Sequence, residues 1–182
     1  MIEKLIDGKK VSQELREKIA KLVEELKAKG IEPGLVVVLV GEDPASAIYV
    51  RNKEKSAQKL GMYSETIRLE STISQDELLD LIQKLNNDVK YNGILVQLPL
   101  PNHINEGVIL KSINPKKDVD CFHPENVGRL VTGNPYLLPC TPAGIIELLK
   151  AYHIFTSGKN VVIAGRSNIV GKPMANILIQ KS

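Results

Sequence analysis

Apolar residues follow two different periods at the start of the chain. Residues 11–29 carry apolar side chains at helical spacing with charged residues between them, and Gly30 follows as a helix stop. Residues 35–40 are instead a continuous apolar run, Leu-Val-Val-Val-Leu-Val. Such a run is typical of a strand buried on both faces, as strands of parallel sheets are. The pattern therefore predicts an amphipathic helix followed by a buried strand.

Helical and extended patterns alternate over the next part of the chain. Asp43 and Pro44 have the chemistry of a helix cap and a first helical residue, and Ser74 with Glu77 has the spacing of a capping box. The predicted elements are a helix from Pro44 to about Leu60, a strand over 63–69, a helix opened by residues 74–77, a strand over 93–97 and a helix over 102–113. Three strands separated by helices predict a parallel sheet with helices on both faces.

The second half of the chain is less periodic. Residues 114–139 are rich in turn residues, so no helix is predicted there and a domain boundary is placed in this stretch. Thr141 is predicted to cap a helix that carries apolar residues as far as Tyr152. Residues 161–163, Val-Val-Ile, predict a buried parallel strand ended by Gly165, and a further helix is predicted to start near Asn168.

The composition is that of a folded protein with no strong charge bias. The 182 residues include 24 basic and 21 acidic side chains, and the basic ones are scattered among acidic ones along the predicted helices. Two Phe, five Tyr and no Trp leave little aromatic surface for stacking on bases. Nucleic-acid binding is therefore not expected.

No membrane or export segment is evident. The longest apolar run, residues 35–40, is far too short to cross a bilayer, and the first residues lack the ordered regions of a signal peptide. We therefore expect a cytoplasmic protein that does not bind membranes. In that compartment Cys121 and Cys140 are expected to stay as thiols. Together with His123 they lack a paired cysteine spacing and a clear fourth ligand, so no metal site is predicted.

Tyr49 and Lys53 are the first candidates for chemistry. They stand four residues apart on the predicted helix after the first strand, so their side chains share a face. A phenol beside an ammonium group can share a proton with it. The alternative is that Lys53, like Lys55 and Lys59, is solvated helix surface. Local spacing does not decide between the two interpretations.

Polar residues at strand ends extend the candidate site. Gln97 ends an apolar strand where its amide would face a cleft at the carboxyl ends of the sheet, and Pro99 stiffens the loop that follows. A lysine or the ring nitrogens of a ligand would satisfy the amide, although it could equally cap the loop. Asp118 and Asp120 could each hold the amino-pyrimidine edge of a heterocycle or cap a turn.

Residues 160–173 have the shape of a phosphate-binding turn. A strand, a glycine and a helix start would present free backbone N–H groups and the positive end of a helix dipole to an anion. The pattern departs from the dinucleotide-binding fingerprint, because Ser167 stands where a second glycine is expected and Gly171 comes one residue late. By itself this motif does not identify a ligand.

Taken together, these stretches closely resemble the bifunctional methylenetetrahydrofolate dehydrogenase/methenyltetrahydrofolate cyclohydrolase family. The resemblance runs the length of the chain, and seven motifs in the same order are far more specific than one. They are Val40-Gly-Glu-Asp-Pro-Ala-Ser46, Tyr49-Val-Arg-Asn-Lys-Glu-Lys55, Gly93-Ile-Leu-Val-Gln-Leu-Pro-Leu-Pro101, Lys117-Asp-Val-Asp120, Phe122-His-Pro124, Pro139-Cys-Thr-Pro142 and Gly165-Arg-Ser-Asn-Ile-Val-Gly-Lys-Pro173.

The resemblance implies a fold and a division of the chain. It implies a three-layer α/β/α catalytic domain with a mainly parallel sheet, followed by an incomplete Rossmann-type NADP-binding domain. The folate-binding domain is expected at residues 1–120, a connecting segment at 121–139, and the linker helix with the start of the nucleotide-binding domain at 140–182. The family's chains continue beyond this point, so we expect the nucleotide-binding domain to be truncated here.

It also implies roles for particular residues. Lys53 resembles the lysine that moves protons, Tyr49 the residue that packs against the folate, Gln97 the amide that holds the lysine, and Asp120 the carboxylate that anchors the pterin. Catalysis is thus expected at Lys53, Tyr49, Gln97 and Asp120, and substrate binding at Tyr49, Gln97, Leu98, Pro99 and Asp120. Cofactor binding is expected at Gly165, Arg166, Ser167, Ile169, Val170 and Gly171, where Arg166 and Ser167 resemble residues that receive a 2′-phosphate.

The implied activity is the NADP-dependent oxidation of 5,10-methylenetetrahydrofolate and the hydrolysis of the methenyl product to 10-formyltetrahydrofolate. NADP is favoured over NAD, the expected partners are tetrahydrofolate derivatives, and a homodimer is implied. Two other hypotheses stay open: an inactive or folate-binding fragment without a working NADP site, and another Rossmann dehydrogenase acting on a shikimate-like acid. One departure stands out, because Cys121 occupies a position where the family normally has glycine, so the turn after Asp120 is expected to differ.

Overall fold

The computed structural model describes residues 5–180, which contain seven helices and three strands. In chain order they are α1 Gly8–Ala28, β1 Gly34–Val40, α2 Pro44–Lys59, β2 Tyr63–Leu69, α3 Gln75–Asn87, β3 Gly93–Val96, α4 Glu106–Ser112, α5 Pro124–Val131, α6 Cys140–Ala151 and α7 Gly171–Gln180. The alternation predicted for the first half of the chain is confirmed.

The three strands form one parallel sheet in the order β2-β1-β3. The central strand, β1, supplies Val36, Val37 and Val38, which are all 0% exposed. β2 is half-buried along most of its length, as expected for a strand with a neighbour on one side only. The continuous apolar run of β1 therefore marks the position in the sheet that is covered on both faces and paired on both edges.

Helices cover both faces of this sheet and so form three layers. On one face, alternate residues of β1 such as Val36 and Val38 pack with Leu78 and Ile82 of α3 and with Ile109 of α4. On the other face, the intervening β1 residues pack with Val50 of α2. The predicted α/β/α arrangement with a parallel sheet is confirmed. The β1–α2 connection is only three residues long, so α2 starts directly at the carboxyl end of the central strand.

By packing, residues 18–119 form one compact unit, and residues 5–17 together with residues 120–180 form another. The second unit has its own core of Leu130, Ile146, Met174 and Ile177, supplied by α5, α6 and α7. Within it the Tyr152 hydroxyl accepts a hydrogen bond of 2.8 Å from the Asp7 backbone N–H. The domain limits expected at residues 120 and 139 stay predictions.

The aperiodic stretch contains a helix that was not predicted. α5 spans eight residues within 114–139, begins with Pro124, and is capped by the His123 ring, which accepts from the Glu125 N–H at 3.1 Å. Only Asn126 and Leu130 are buried along it. One buried pair at a spacing of four is too little periodicity to indicate a helix, because a loop with the same residues would show the same pattern.

Other helix starts differ from their predicted positions. α6 begins at Cys140 after Pro139, and no side chain caps it, so the cap predicted at Thr141 is wrong. α4 begins at Glu106, where the Asn105 side chain accepts from the Val108 N–H, rather than at residue 102. Helix ends depend on which local side chain reaches the free N–H groups, and sequence patterns locate them only to within a few residues.

The strand predicted at residues 161–163 is absent from the described structure. This segment is irregular, and Val161 and Val162 are 49% and 93% exposed. A strand exists only when a neighbouring strand receives its hydrogen bonds, and within residues 5–180 the only sheet is the one formed by β1, β2 and β3. The β-branched sequence therefore does not produce a strand in this part of the chain.

Candidate active site

The helix that carries the candidate lysine is fixed at its first turn. Asp43 accepts a hydrogen bond of 2.7 Å from the Ser46 backbone N–H, and Pro44 occupies the first helical position. Hydrogen bonds from Ser46 lower the pKa of Asp43, so the cap stays a charged acceptor. The predicted cap is confirmed, and it sets α2 at the carboxyl edge of the sheet, where ligands of parallel α/β sheets bind.

Lys53 and Gln97 contact each other, as the resemblance implied. The Lys53 Nζ donates to the Gln97 Oε1 at 3.2 Å. Two backbone carbonyls hold Gln97 in place. Its backbone N–H donates to the Val38 carbonyl at 2.9 Å, and its side-chain Nε2 donates to the Leu98 carbonyl at 2.8 Å. The hydrogen bond from Nε2 fixes the orientation of the amide, so its oxygen, the acceptor atom of the side chain, faces the ammonium group. The structure thus brings together two residues that lie 44 positions apart.

The lysines of α2 differ in their surroundings. Lys53 is half-buried, whereas Lys55 and Lys59 are exposed. Solvated helix surface is therefore the correct interpretation for Lys55 and Lys59 and not for Lys53. Tyr49 lies one turn before Lys53 and is 64% exposed, so most of its ring is available to a ligand.

The loop after β3 forms a mixed surface. Leu98 is half-buried and packs against the larger of the two cores in the sheet unit, whereas Pro99 is exposed. The peptide bond between them is cis. Leu98 is therefore partly engaged in the protein interior, and Pro99 is the residue of the pair that faces outward.

The two aspartates of the Lys117–Asp120 motif are placed differently. Asp118 is 2% exposed and forms a parallel bridge with Ile94, so it belongs to the interior beside β3. Asp120 is half-buried and is the first residue of the second unit. Cys121 has a φ of +59°, the left-handed conformation that glycine adopts most easily. The backbone turn is thus made with a cysteine, at a cost of about 1–2 kcal/mol.

Sequence reasoning missed one anchor of this segment. The Lys117 ammonium donates to the carbonyl oxygens of Leu85 and Asp88 at 3.2 and 2.7 Å, at the end of α3. These two carbonyls also accept long backbone hydrogen bonds, from the Asp88 N–H at 3.3 Å and the Tyr91 N–H at 3.4 Å. A cation at this position adds a second donor to each of them and is favoured by the helix dipole. A lysine in a turn-rich stretch carries no local signal for such a contact, because its partners lie about thirty positions earlier in the sequence.

The residues expected to bind a nucleotide lie in the loop before α7, except Gly171, which is the first residue of that helix. The Ser167 Oγ accepts from the N–H groups of Val170 and Gly171 at 3.1 and 3.3 Å. A Cβ on Gly171 would lie 2.7 Å from the Gly165 carbonyl carbon, so only glycine fits there. Gly165 has a φ of +152°, and a Cβ on it would meet nothing within 4 Å. Arg166 is exposed, and Ile169 is 47% exposed.

Two of these features suit a nucleotide phosphate, but the N–H groups of Val170 and Gly171, which were expected to be free for an anion, donate to Ser167 instead. The open space at Gly165 lets a ligand approach the backbone, and an exposed guanidinium follows directly. Gly171 comes one residue later than the fingerprint expects. Its position is explained by the close packing of the start of α7 on the Gly165–Arg166 peptide, which leaves no room for a side chain. Within residues 5–180 no group of three or more His, Cys, Asp or Glu side chains could hold a metal ion. Over the same residues, no helix is long and apolar enough to span a membrane.

Comparison with protein families identifies both parts of the chain. The family model for the tetrahydrofolate dehydrogenase/cyclohydrolase catalytic domain matches residues 6–120. The model for the NAD(P)-binding domain of the same enzymes matches residues 139–182. The chain belongs to this family.

Curated relatives and solved structures agree with this membership. A bifunctional protein FolD from Streptococcus agalactiae is 56% identical over 179 residues, which are 98% of this chain and 63% of that protein. A FolD methylenetetrahydrofolate dehydrogenase/cyclohydrolase from Campylobacter jejuni is 50% identical with a TM-score of 0.96, over 98% of this chain and 64% of that one. The Trypanosoma brucei enzyme, solved with NADP cofactor and inhibitor, is 36% identical with a TM-score of 0.94, over 98% of this chain and 62% of that one. The chain thus spans slightly less than two thirds of the length of these family members.

Proposed function

We propose that this protein oxidises 5,10-methylenetetrahydrofolate with NADP and hydrolyses the methenyl product to 10-formyltetrahydrofolate. The observation that carries the proposal is the hydrogen bond from Lys53 to Gln97, made at the carboxyl edge of a parallel sheet in a chain whose residues 6–120 match the family's catalytic domain. The match of residues 139–182 to the NAD(P)-binding domain supports the redox half of the proposal.

Hydrolysis requires a group that moves a proton. Water adds to the methenyl carbon of the cation, and the bond from this carbon to one ring nitrogen breaks. Forming the formyl oxygen removes both protons of the water: one must reach that nitrogen, and the other is released to solvent. We assign this transfer to the Lys53 amino group, with the Gln97 oxygen holding it in place. Tyr49, one turn away and largely exposed, is assigned to pack against the folate ring. Leu98 and Pro99 are assigned to the wall of the folate site, and Asp120 to the pterin, on the resemblance.

Oxidation requires that the methylene carbon be held against the nicotinamide. When bound, NADP accepts the hydride, so the protein supplies binding and orientation. We assign the dinucleotide to the loop of Gly165, Arg166, Ser167, Ile169, Val170 and Gly171. The exposed guanidinium of Arg166 favours the extra phosphate of NADP over NAD.

The experiment compares two lysines on the same helix. Lys53→Met and the matched control Lys55→Met are assayed for formation of the methenyl chromophore with NADP and for its decay by hydrolysis. Removing a positioned proton-transfer group typically costs about 10²–10⁴-fold. We expect a loss of that size in chromophore decay for Lys53→Met and none for Lys55→Met. Unchanged decay in Lys53→Met would overturn the assignment of Lys53.

We also propose the finer properties that the family resemblance implies. They are a cytoplasmic location, a homodimer, and a place in one-carbon metabolism that serves purine, methionine and histidine synthesis. Light scattering on the purified protein tests the oligomeric state, and a monomer mass at micromolar concentration would contradict the dimer.

A further inference from the structure

Helix α2 has a narrow buried face, and Lys53 lies beside it. Val50 and Ala57 are the buried apolar residues of the helix, seven positions apart, and they mark the line along which it lies on the sheet. Residues 53 and 54 fall between them in sequence. At 3.6 residues per turn, their side chains point roughly 50° to either side of that line. Lys53 and Glu54 therefore flank the buried face on opposite sides.

Each of these two side chains reaches an outer strand of the sheet. Lys53 donates to Gln97, the residue directly after β3, at 3.2 Å. The Glu54 Oε2 accepts a hydrogen bond of 3.2 Å from the Thr66 hydroxyl in the middle of β2. β2 and β3 lie on either side of β1, so the helix is tied to the sheet once on each side. Glu54 and Thr66 are both half-buried, unlike the exposed Lys55 and Gln58 of the same helix.

The buried face alone gives the helix little resistance to rotation about its axis. Ser46, Val50 and Ala57 are its buried residues, and only Val50 is a branched apolar side chain. A rotation of about 10° moves an atom roughly 6 Å from a helix axis by about 1 Å. Displacements of that size in a catalytic group can cost on the order of a hundredfold in rate. The hydrogen bonds at the flanks are thus the interactions that can fix the rotation.

We propose that Glu54 is a positioning residue for Lys53. Its carboxylate, held by Thr66, fixes the rotation of α2 about its axis and so keeps the Lys53 ammonium against the Gln97 oxygen. Glu54 points away from Lys53 and needs no contact with substrate. The consequence for catalysis rests on the proposed function, whereas the placement of Lys53 does not.

The kinetic experiment uses three single variants, one double variant and one control. Glu54→Ala and Thr66→Val each remove the hydrogen bond from one side, Glu54→Gln keeps an oxygen that accepts from Thr66, and Gln58→Ala changes an exposed residue of the same helix. We expect the two disruptive variants to lower kcat for methenyl hydrolysis about tenfold or more with KM changed less than twofold. Glu54→Gln and Gln58→Ala should stay within threefold of the unsubstituted protein. The double variant Glu54→Ala/Thr66→Val should be no worse than either single variant.

A second experiment measures the placement of Lys53 without any activity. The protein is treated briefly with acetic anhydride, and acetylation of Lys53, Lys55 and Lys59 is compared by peptide mass spectrometry. In the unsubstituted protein we expect Lys53 to react several-fold more slowly than the two exposed lysines. Glu54→Ala and Thr66→Val should remove this difference, and Glu54→Gln should preserve it, with helical circular dichroism unchanged in all three.

The two experiments separate the two proposals. Unchanged Lys53 acetylation and unchanged kcat in both disruptive variants would overturn the positioning role of Glu54. A Glu54→Gln variant as defective as Glu54→Ala would also overturn it, because the lost feature would then be the charge. An acetylation response in a protein with no hydrolase activity would support the positioning role and contradict the proposed function.

Discussion

Two runs of β-branched residues in this chain adopt different structures: one is a buried strand and the other is irregular. Residues 36–38, Val-Val-Val, are fully buried in the central strand of a parallel sheet. Residues 161–163, Val-Val-Ile, are irregular, and Val162 is 93% exposed. The intrinsic preference of both runs for extended structure is the same. What differs is that the first run has hydrogen-bonded strands on both sides, and no described strand lies beside the second.

The contrast shows what β-propensity measures. A β-branched side chain is stabilising in a strand because it packs on a pleated surface against cross-strand neighbours and a covering layer. In the sheet unit α2 supplies a layer on one face, and α3 with α4 supplies it on the other. At residues 161–163, Ile163 packs against the core of the second unit, whereas Val161 and Val162 are exposed and have no cross-strand neighbours in the described structure.

The largest difference between the two regions is expected for identical substitutions at Val37 and Val162. Val37→Ala removes fully buried methyl groups and should lower the free energy of unfolding by about 2–3 kcal/mol. Val162→Ala removes exposed ones and should change it by less than about 0.5 kcal/mol. Urea unfolding of both variants measures the two values. Equal losses would show that Val162 is packed in solution and would contradict the difference between the two runs.

The second prediction concerns close packing near the irregular segment, where the start of α7 contacts the Gly165–Arg166 peptide. Gly171→Ala places a methyl group against the Gly165–Arg166 peptide and should cost about 1–3 kcal/mol, because backbone must move. We also expect weaker NADP binding, measured by isothermal titration, since the same peptide belongs to the proposed nucleotide loop. Gly128→Ala is the matched control, because Gly128 lies inside α5 with nothing within 4 Å of its Cβ position. It should stabilise by about 0.5–1 kcal/mol. Equal effects of the two substitutions would contradict the tight packing at Gly171.

The third prediction concerns charge at the amino end of the sheet. The Glu65 Oε2 accepts from the hydroxyls of Tyr63 and Tyr91, both at 2.6 Å, and lies 3.3 Å from the Lys90 Nζ. These partners, with the Tyr63 hydroxyl first, lower the pKa of Glu65 from 4.5 to about 2. Burial, followed by the neighbouring Glu65, raises the pKa of Tyr91 to about 12.

A lowered carboxylate pKa contributes stability that is complete above the unfolded value and lost as pH falls through the folded one. For Glu65 that window runs from 4.5 down to about 2. The carboxylate is 40% exposed, so its contribution after solvent screening is about 1 kcal/mol. Glu65→Gln should remove this part of the pH dependence when unfolding is followed between pH 6 and pH 2. An unchanged slope in the variant would show that other carboxylates cause the acid destabilisation.

The smallest effect is expected at Cys121. Cys121→Gly relieves a left-handed backbone strain of about 1–2 kcal/mol, but it removes a buried side chain and adds backbone entropy to the unfolded state. These changes oppose each other, so the net change should be within about 1 kcal/mol. Cys121→Val keeps the strain and adds a β-branched side chain in that conformation, so it should destabilise clearly more in thermal unfolding. A Val variant as stable as the Gly variant would show that the turn tolerates any residue.

Local sequence signals gave most of the first unit. The buried strand at residues 35–40, the cap at Asp43 and the capping box at Ser74 all depend on neighbours within a few positions, and each is present in the structure. The same signals failed where they were short. α5 shows only one buried pair, and α6 begins at Cys140 without a side-chain cap, so Thr141 lies inside the helix.

In the candidate site, too, some features could be inferred from the sequence and others could not. The helical spacing of Tyr49 and Lys53, the strand-end position of Gln97 and the glycines of the nucleotide loop could be inferred from the sequence, and the roles assigned to them remain proposals. Local patterns did not predict the contacts that surround these residues, and of these contacts only Lys53 with Gln97 was expected, from the family resemblance. Lys53 with Gln97, Glu54 with Thr66, and Lys117 with the end of α3 all join positions more than ten residues apart.

The sequence by itself determined which segments become helix or buried strand where caps and periodic apolar residues coincide, because those interactions act within one or two turns of chain. Only the tertiary structure decided which β-branched run finds strand partners and which lysine of α2 is half-buried against an amide. Those outcomes depend on hydrogen bonds and packing between segments that are far apart in sequence. The local sequence of one segment does not indicate which other segment will pack beside it.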